Sequence, residues 1–230
     1  FTGNERPLAI YPQRIDDNIY GNTYSGNTKN YIEVQDGTID ENRTYTWKKD
    51  GAPYVAAHSI SVQRYNNAQQ LTTLEIESGT TVMFASAKYL YIGSSNNSSY
   101  RGALSATGVT FTALDTSAGW SGIWFQNFTE DGSSLIDSCI VEYATDGIYC
   151  QNSNPTITNS TIRNNTDGIH ADSGSEPTIA GNTFTDNERP LAIYPQRIDN
   201  NIYGNTYSGN TKNYIEVQDG TIEDNRTYTW

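Results

Sequence analysis

Aromatic side chains take the same place in three similar tetrapeptides of this 230-residue sequence. Trp124, Tyr149 and His170 are the third residues of Gly-Ile-Trp-Phe, Gly-Ile-Tyr-Cys and Gly-Ile-His-Ala. If these tetrapeptides are β-strands, each ring points away from the side to which the preceding Ile points. Stacked rings on an outer face, with Tyr194 nearby, would form a platform for sugar rings. The alternative, which the sequence favours, is that the rings only stabilise an exposed sheet by packing across neighbouring strands.

Two acidic residues also recur at one place in this pattern. Asp146 and Asp167 each precede a Gly-Ile pair, and they would repel each other if they stacked without a counter-charge. Calcium would relieve the repulsion because it prefers hard oxygen ligands. The alternative is that both aspartates accept hydrogen bonds from the local backbone, as turn aspartates commonly do. Calcium is therefore the one candidate cofactor.

The other acidic residues do not form a recognisable catalytic pair. Glycoside hydrolysis requires two carboxyl groups about 5 to 9.5 Å apart. Glu130 and Asp131 are adjacent in a predicted loop, and Asp40 and Glu41 would point to opposite faces of a strand. We therefore predict no catalytic residue and expect the chain not to be an enzyme.

Seven asparagines begin the sequon Asn-X-Ser/Thr, which is an acceptor for N-glycosylation in secreted proteins. They are Asn42, Asn96, Asn97, Asn127, Asn159, Asn164 and Asn225. A chain rich in Asn and Thr produces such sequons by chance, so they mark glycosylation sites only in an organism that has the machinery.

The elements that position these residues belong to a tandem 183-residue repeat, which is the offset from Phe1 to Phe184. Residues 184–230 repeat residues 1–47 with four changes: Gly3 to Asp186, Asp17 to Asn200, Asp40 to Glu223 and Glu41 to Asp224. We interpret residues 1–44 as the terminal coils of a preceding repeat. Residues 45–230 are then one full unit that ends in coils equivalent to residues 1–47. The chain starts in mid-pattern and holds one Met, so we expect a longer parent protein with further copies.

A shorter period inside the unit marks successive coils. Three apolar columns advance together, by about 22 residues at each step. The columns are Ile136, Ile157, Ile179 and Ile202; Val141, Ile162, Phe184 and Tyr207; and Ile148, Ile169, Leu191 and Tyr214. Three short strands per coil of about 21–25 residues predict an all-β fold, a parallel β-helix or β-solenoid. About eight coils spaced by about 4.8 Å would give each repeat some 38 Å, provided that residues 44–62 are not a linker.

Polar residues recur at the bends of the predicted coils. One column is Asn165, Asn187 and Asn210, and a second is Cys139, Ser160, Asn182 and Asn205. Asn tolerates left-handed turns and its amide can bond to the next coil, so these columns predict stabilised bends. Cys139 and Cys150 are predicted to point inward as small buried side chains, and a disulfide between them stays open.

The composition restricts the partners of the chain. The formal net charge is −12 and the pI is about 4.4, which argues against binding to nucleic acid or to an anionic membrane. No apolar run is long enough to span a bilayer, so we predict no membrane insertion in this segment.

Several segments carry a family resemblance that covers nearly the whole chain. They are residues 47–55 (WKKDGAPYV), 74–84 (LEIESGTTVMF), 120–125 (WSGIWF), 138–144 (SCIVEYA) and 154–157 (NPTI). The sequence resembles the pectate-lyase-like right-handed parallel β-helix superfamily, in particular its surface-protein branch with NosD-like and disaggregatase-like repeats. The resemblance implies a secreted or surface-anchored bacterial or archaeal protein. It does not choose a function, because this superfamily includes lyases, hydrolases, epimerases and plain surface repeats.

Together these observations predict a non-catalytic structural and adhesive repeat module of a long extracellular surface protein or filament. Its expected partners are further copies of itself and surface glycans. The alternative is a carbohydrate-binding or polysaccharide-cleaving β-helix domain.

Overall fold

Short parallel strands wind into a solenoid in the computed structural model of the chain, which describes residues 1–16, 18–65, 70–222 and 227. Within these residues the strands form sheets of nine, eight and seven members, which we call the first, second and third sheet. From β2 onward the chain enters the sheets in that order before it starts the next coil. Within the described residues, helical structure is confined to the short 3-10 helices Pro12–Arg14, Asp131–Ser133 and Pro195–Arg197. The predicted all-β parallel β-helix is therefore confirmed.

From β2 to β22, each coil contributes one strand to each sheet. The first sheet contains β1 (Leu8–Ile10), β2 (Ile32–Val34), β5 (Tyr54–Ala56), β8 (Thr81–Phe84), β11 (Thr110–Ala113), β14 (Ile140–Glu142), β17 (Thr161–Arg163), β20 (Thr183–Thr185) and β23 (Thr206–Ser208). The second contains β3 (Gly37–Ile39), β6 (Ile60–Val62), β9 (Tyr89–Ile92), β12 (Gly122–Phe125), β15 (Asp146–Cys150), β18 (Asp167–Ala171), β21 (Arg189–Ile193) and β24 (Ile215–Val217). The third contains β4 (Thr44–Trp47), β7 (Thr72–Ile76), β10 (Gly102–Thr107), β13 (Leu135–Asp137), β16 (Thr156–Thr158), β19 (Thr178–Ala180) and β22 (Ile202–Tyr203).

Aliphatic columns between the three sheets build the core. The predicted column from Ile136 to Ile202 is in register in the third sheet. The column from Val141 to Tyr207 is in register in the first sheet. Apart from their last members, these side chains are fully buried. Both predicted columns are confirmed, because strand alternation sends the same side of every coil into the core.

The last member of the third predicted column is wrong. Leu191 is in register with Ile215 and not with Tyr214. This coil is one residue longer than the column spacing allowed. Because a slip of one residue moves a side chain to the opposite face of a strand, Tyr214 points outward and is 54% exposed.

The middle coils are longer than predicted. Along the first sheet, the register runs from Tyr54 through Val82 and Phe111 to Val141, in steps of about 28–30 residues. From Val141 onward the same column advances by only about 22 residues per step. The predicted range of about 21–25 residues per coil is therefore too narrow. The extra residues lie in loops, since the strands still pair in each coil.

The 183-residue period is shorter than the predicted eight coils. Leu8 on β1 reaches Phe184 on β20 through seven coil-to-coil steps within the first sheet. Leu191, the copy of Leu8, lies one strand further along, on β21 of the second sheet. One period is thus seven coils and one strand, or ~35 Å at 4.8 Å per coil instead of 38 Å.

Residues 44–62 do not interrupt the stack. β5 pairs with β2 and β8, and β6 pairs with β3 and β9. The predicted division between residues 44 and 45 falls inside β4, and the sheets run across it.

Asparagine side chains hold the bends, as predicted. Asn187 Oδ1 accepts hydrogen bonds from the backbone N–H and the Nδ2 of Asn165, at 3.0 and 3.1 Å. Asn210 Oδ1 accepts the same two bonds from Asn187. In the second column, Asn205 bonds to Asn182 in this way. Each amide thus satisfies buried polar groups of the preceding bend, which would otherwise be costly.

Both cysteines point inward and are free. Burial raises the pKa of the Cys139 thiol to about 11 and raises that of Cys150 as well. The inward placement is confirmed, and the two thiols do not form a disulfide.

Candidate functional site

The outer side of the second sheet carries a continuous row of rings. Trp124, Tyr149 and His170 are in register on β12, β15 and β18, as predicted. Tyr91 on β9 extends the row on the other side of Trp124, with Tyr89 beside it. Successive ring centroids from Tyr91 to His170 are 5.8, 4.9 and 5.0 Å apart. We call these five residues the aromatic column.

The strand sequence explains why these rings face outward. Gly122 opens β12 with φ at +121°, and a Cβ there would lie 1.6 Å from the carbonyl oxygen of Asp146. Only Gly fits this close approach of two coils. Ile123 then fills the core at 0% exposure, so alternation directs Trp124 to the outer side.

The rings of the column pack against one another. Tyr89 and Tyr91 are stacked with centroids 4.8 Å apart, and Trp124 meets them at angles of 70° and 82°. Edge-to-face pairs of this kind contribute about 0.5–1.5 kcal/mol beyond their buried area. Burial raises the pKa of Tyr91 and of Tyr149. The geometry supports stabilisation of the sheet, and the rings remain half-exposed on the outer side of the second sheet.

Tyr194 does not join the column. The residue in register with His170 on the next coil is Ala192, which is fully buried. Tyr194 lies just past the end of β21 and precedes the 3-10 helix Pro195–Arg197. The prediction that Tyr194 contributes to a sugar platform therefore lacks a place in the row of rings.

Charged side chains lie beside the column. Asp146, Asp167 and Arg189 occupy equivalent positions on three successive coils. The Arg189 guanidinium donates to both carboxylate oxygens of Asp167, at 2.7 and 2.5 Å. It also donates to Glu216 on the following coil at 2.5 Å. These hydrogen bonds, first of all that to Asp167, raise the pKa of Arg189. The repulsion expected between the stacked aspartates is thus relieved by a side chain.

His170 completes a group of three potential metal ligands. One ligand atom each from Asp146, Asp167 and His170 lies within 4.8 Å of the others. His170 Nδ1 is 3.7 Å from Asp146 Oδ1. Calcium, however, takes six to eight oxygen ligands. Both oxygens of Asp167 already bind Arg189, and His170 offers nitrogen, so this donor set does not fit calcium.

Comparison with protein families identifies the fold. A model described as the right-handed β-helix region matches residues 90–228, more than half of the chain. The chain belongs to this right-handed β-helix family. Comparison with curated proteins and with solved structures found no match. The matched part of this β-helix includes the aromatic column from Tyr91 onward and all of the charged group beside it.

The adjacent acids of the β-helix are engaged in local contacts. Glu130 pairs with Arg101 at 2.8 Å. Asp131 accepts hydrogen bonds from the backbone and side-chain nitrogens of Asn154, at 2.8 and 3.2 Å. Asp40 and Glu41 follow β3 at a bend, so the expectation that they lie in a strand is wrong. Their copies at residues 223 and 224 lie outside the described residues.

The predicted glycosylation sites differ in accessibility. Asn96, Asn97 and Asn159 are exposed, whereas Asn42, Asn127 and Asn164 are partly buried. The sequon of Asn127 depends on Thr129, which is 3% exposed and donates its hydroxyl to the Ile92 carbonyl at 2.9 Å. Asn225 lies outside the described residues.

Membrane insertion has no helical candidate. Among the residues that the structure describes, no helix has the length and apolar character that a bilayer span requires.

Sequence reasoning missed Tyr91, Arg189 and Glu216. Arg189 follows Asp167 at the spacing of the apolar columns, so the period alone could have revealed it. The step from Tyr91 to Trp124 is much longer than that spacing, because a long coil separates the two residues. Only the alternation in Tyr-Leu-Tyr-Ile around Tyr91 indicated an outward ring.

Proposed function

We propose that this β-helix is a non-catalytic structural and adhesive repeat module of a long extracellular surface protein or filament. The observation that carries the proposal is the continuity of the three sheets. Three parallel sheets run through the described coils, and strands from both copies of the repeated segment belong to the same stack. A further copy would extend these ladders with the contacts already present, since each coil of a solenoid contacts only its neighbours.

The state of the acidic residues supports a non-catalytic role. Asp131, Asp167 and Glu130 each bind a neighbouring Asn or Arg side chain. A glycosidase needs one carboxyl group that holds a proton and a second that is free to attack or to activate water. Carboxylates that already bind Arg or Asn side chains are poorly suited to either task.

Immunogold electron microscopy tests the proposed location. Antibodies raised against this chain should label intact cells of the source organism outside the envelope, and serum preabsorbed with the chain should not. Labelling that appears only after the cells are permeabilised would contradict an extracellular role.

A second candidate function is carbohydrate binding, which the half-exposed aromatic column favours. Under this hypothesis the double substitution Trp124→Ala and Tyr149→Ala abolishes binding on a glycan array. Tyr203→Ala is the matched control, because Tyr203 is 61% exposed but lies outside the column. If the doubly substituted chain keeps its glycan binding, the column is not a sugar platform.

A further inference from the structure

Equivalent residues of the two copies lie on different faces of the solenoid. Leu8 belongs to the first sheet, whereas its copy Leu191 belongs to the second. Ile32 and its copy Ile215 are displaced in the same way. The repeated segment is therefore rotated between its two occurrences.

The rotation is not caused by a different local structure. In both copies the same strands pair in the same register, Leu8 with Ile32 and Leu191 with Ile215. The same ion pair also recurs, from Arg6 to Glu33 at 2.6 Å and from Arg189 to Glu216 at 2.5 Å. Gly3 and its replacement Asp186 both adopt positive φ, at 69° and 55°.

The number of strands between the copies explains the rotation. One period contains seven coils of three strand positions each plus one strand, which makes 22 positions. Because the solenoid has three sheets, 22 positions leave a remainder of one. Every added repeat thus begins one sheet later than the repeat before it.

We propose that successive repeats are related by a screw of about one third of a turn and ~35 Å. This inference rests on the proposed function and specifies the surface of the rod. Each feature, such as the aromatic column, faces three directions in turn and returns to the same side only every third repeat, ~106 Å along the axis. Such a rod fits partner molecules that bind one repeat each and are distributed around it. It does not fit a flat surface that needs the same feature along one side.

Distances between spin labels in this chain test the screw. Glu33 and Ser208 share one outward column of the first sheet and are seven coils apart, or ~34 Å. Glu216, the copy of Glu33, lies on the second sheet. The distance between labels in Glu33→Cys/Ser208→Cys should therefore be shorter than in Glu33→Cys/Glu216→Cys. If a repeat held a whole number of coils, Glu33 and Glu216 would share a column and the order would be reversed.

A second pair of variants guards against local disturbance at Glu33. Thr38 shares the outward column of Glu216 on the second sheet. Labels in Thr38→Cys/Glu216→Cys should be closer than labels in Thr38→Cys/Ser208→Cys. The unsubstituted chain is the control, because its two thiols are buried and should take up no label.

The outcomes separate the screw from the proposed rod. Narrow distributions in the expected order support both. Narrow distributions in the reverse order for the two Glu33 pairs overturn the screw and leave the rod intact. Broad distributions in every variant, with unchanged circular dichroism, overturn the continuous solenoid and the screw with it.

Discussion

The Arg189 side chain connects three coils and is 21% exposed. It binds Asp167 on the preceding coil and Glu216 on the following coil, whereas Arg6, its copy, binds Glu33 and is 48% exposed. We expect Arg189→Met to lower the free energy of unfolding by about 1–3 kcal/mol, because it leaves the Asp167 carboxylate without its charged donor. Arg6→Met is the matched control and should cost at most about 1 kcal/mol, since its ion pair is more exposed. Urea denaturation measures both.

Equal losses in the two Arg variants would contradict a special role for Asp167.

Calcium gives an additional readout at the same residue. The Tm of the unsubstituted chain should not change with EDTA or calcium, because Arg189 occupies Asp167. A rise in Tm with calcium that Asp146→Asn abolishes would contradict this expectation and support the calcium site that the aspartate spacing predicted.

Asp137 gives the chain a pH dependence. Its Oδ1 accepts hydrogen bonds from Asn159 Nδ2 and Thr158 Oγ1, both at 2.8 Å, and these hold its pKa below the usual value. A carboxyl group with a lower pKa when folded adds stability that is complete above its unfolded pKa, near 4, and is lost as pH falls through the folded value. We expect Asp137→Ala to cost about 1 kcal/mol at pH 7 and progressively less below pH ~4. Urea titrations at several pH values measure the difference, and a penalty that is independent of pH would contradict the assignment.

The sequence predicted the outward rings well because their strands obey a simple alternation. Trp124, Tyr149 and His170 each follow a buried Ile, and a period of two residues settles their side. Alternation did not place Tyr194 in the row of rings, because a 3-10 helix and not a strand begins at Pro195. The partner of Asp167 was readable from the period, but the strength of its contact with Arg189 depends on side-chain geometry that a period does not contain.

At the level of strands and bends, buried hydrogen bonds connect the column of Asn165, Asn187 and Asn210 from coil to coil. Asn187 is 1% exposed and donates to the Ile162 carbonyl at 2.9 Å while it bonds to Asn165 and Asn210. We expect Asn187→Ala to lower the free energy of unfolding by about 2–4 kcal/mol, because several buried groups lose their partners at once. Asn200→Ala, at an exposed turn residue of the same copy, should change it by less than about 0.5 kcal/mol.

Chemical denaturation of both Asn variants provides the comparison. Similar stabilities for Asn187→Ala and Asn200→Ala would mean that the asparagine column fills space without holding the bends.

The predicted coils were accurate where the loops are short. From Val141 to Tyr207 the columns repeat about every 22 residues, so periodicity located every strand of the first and third sheets there. Between Tyr54 and Val141 the loops lengthen the coils to about 28–30 residues, and the period disappears from the sequence. Strand pairing persists there because backbone ladders do not depend on loop length. Sequence spacing alone does not reveal this pairing.

For the whole molecule, the same long loops conceal how many strands one repeat contains. The repeated segments state the 183-residue offset plainly, but division by an average coil of about 22–23 residues gives eight coils. In the structure one repeat has seven coils and one strand, which makes the repeat shorter than predicted and rotates the next copy. Family membership supports the fold. The proposed role of the solenoid surface depends on the rotation between repeats and on the proposed extracellular location.

Electron microscopy of chains that contain one to several 183-residue units tests the continuous solenoid most directly. A continuous solenoid predicts rods whose length increases by ~35 Å with each added unit, at 4.8 Å per coil. Compact particles whose longest dimension does not increase with the number of units would contradict it.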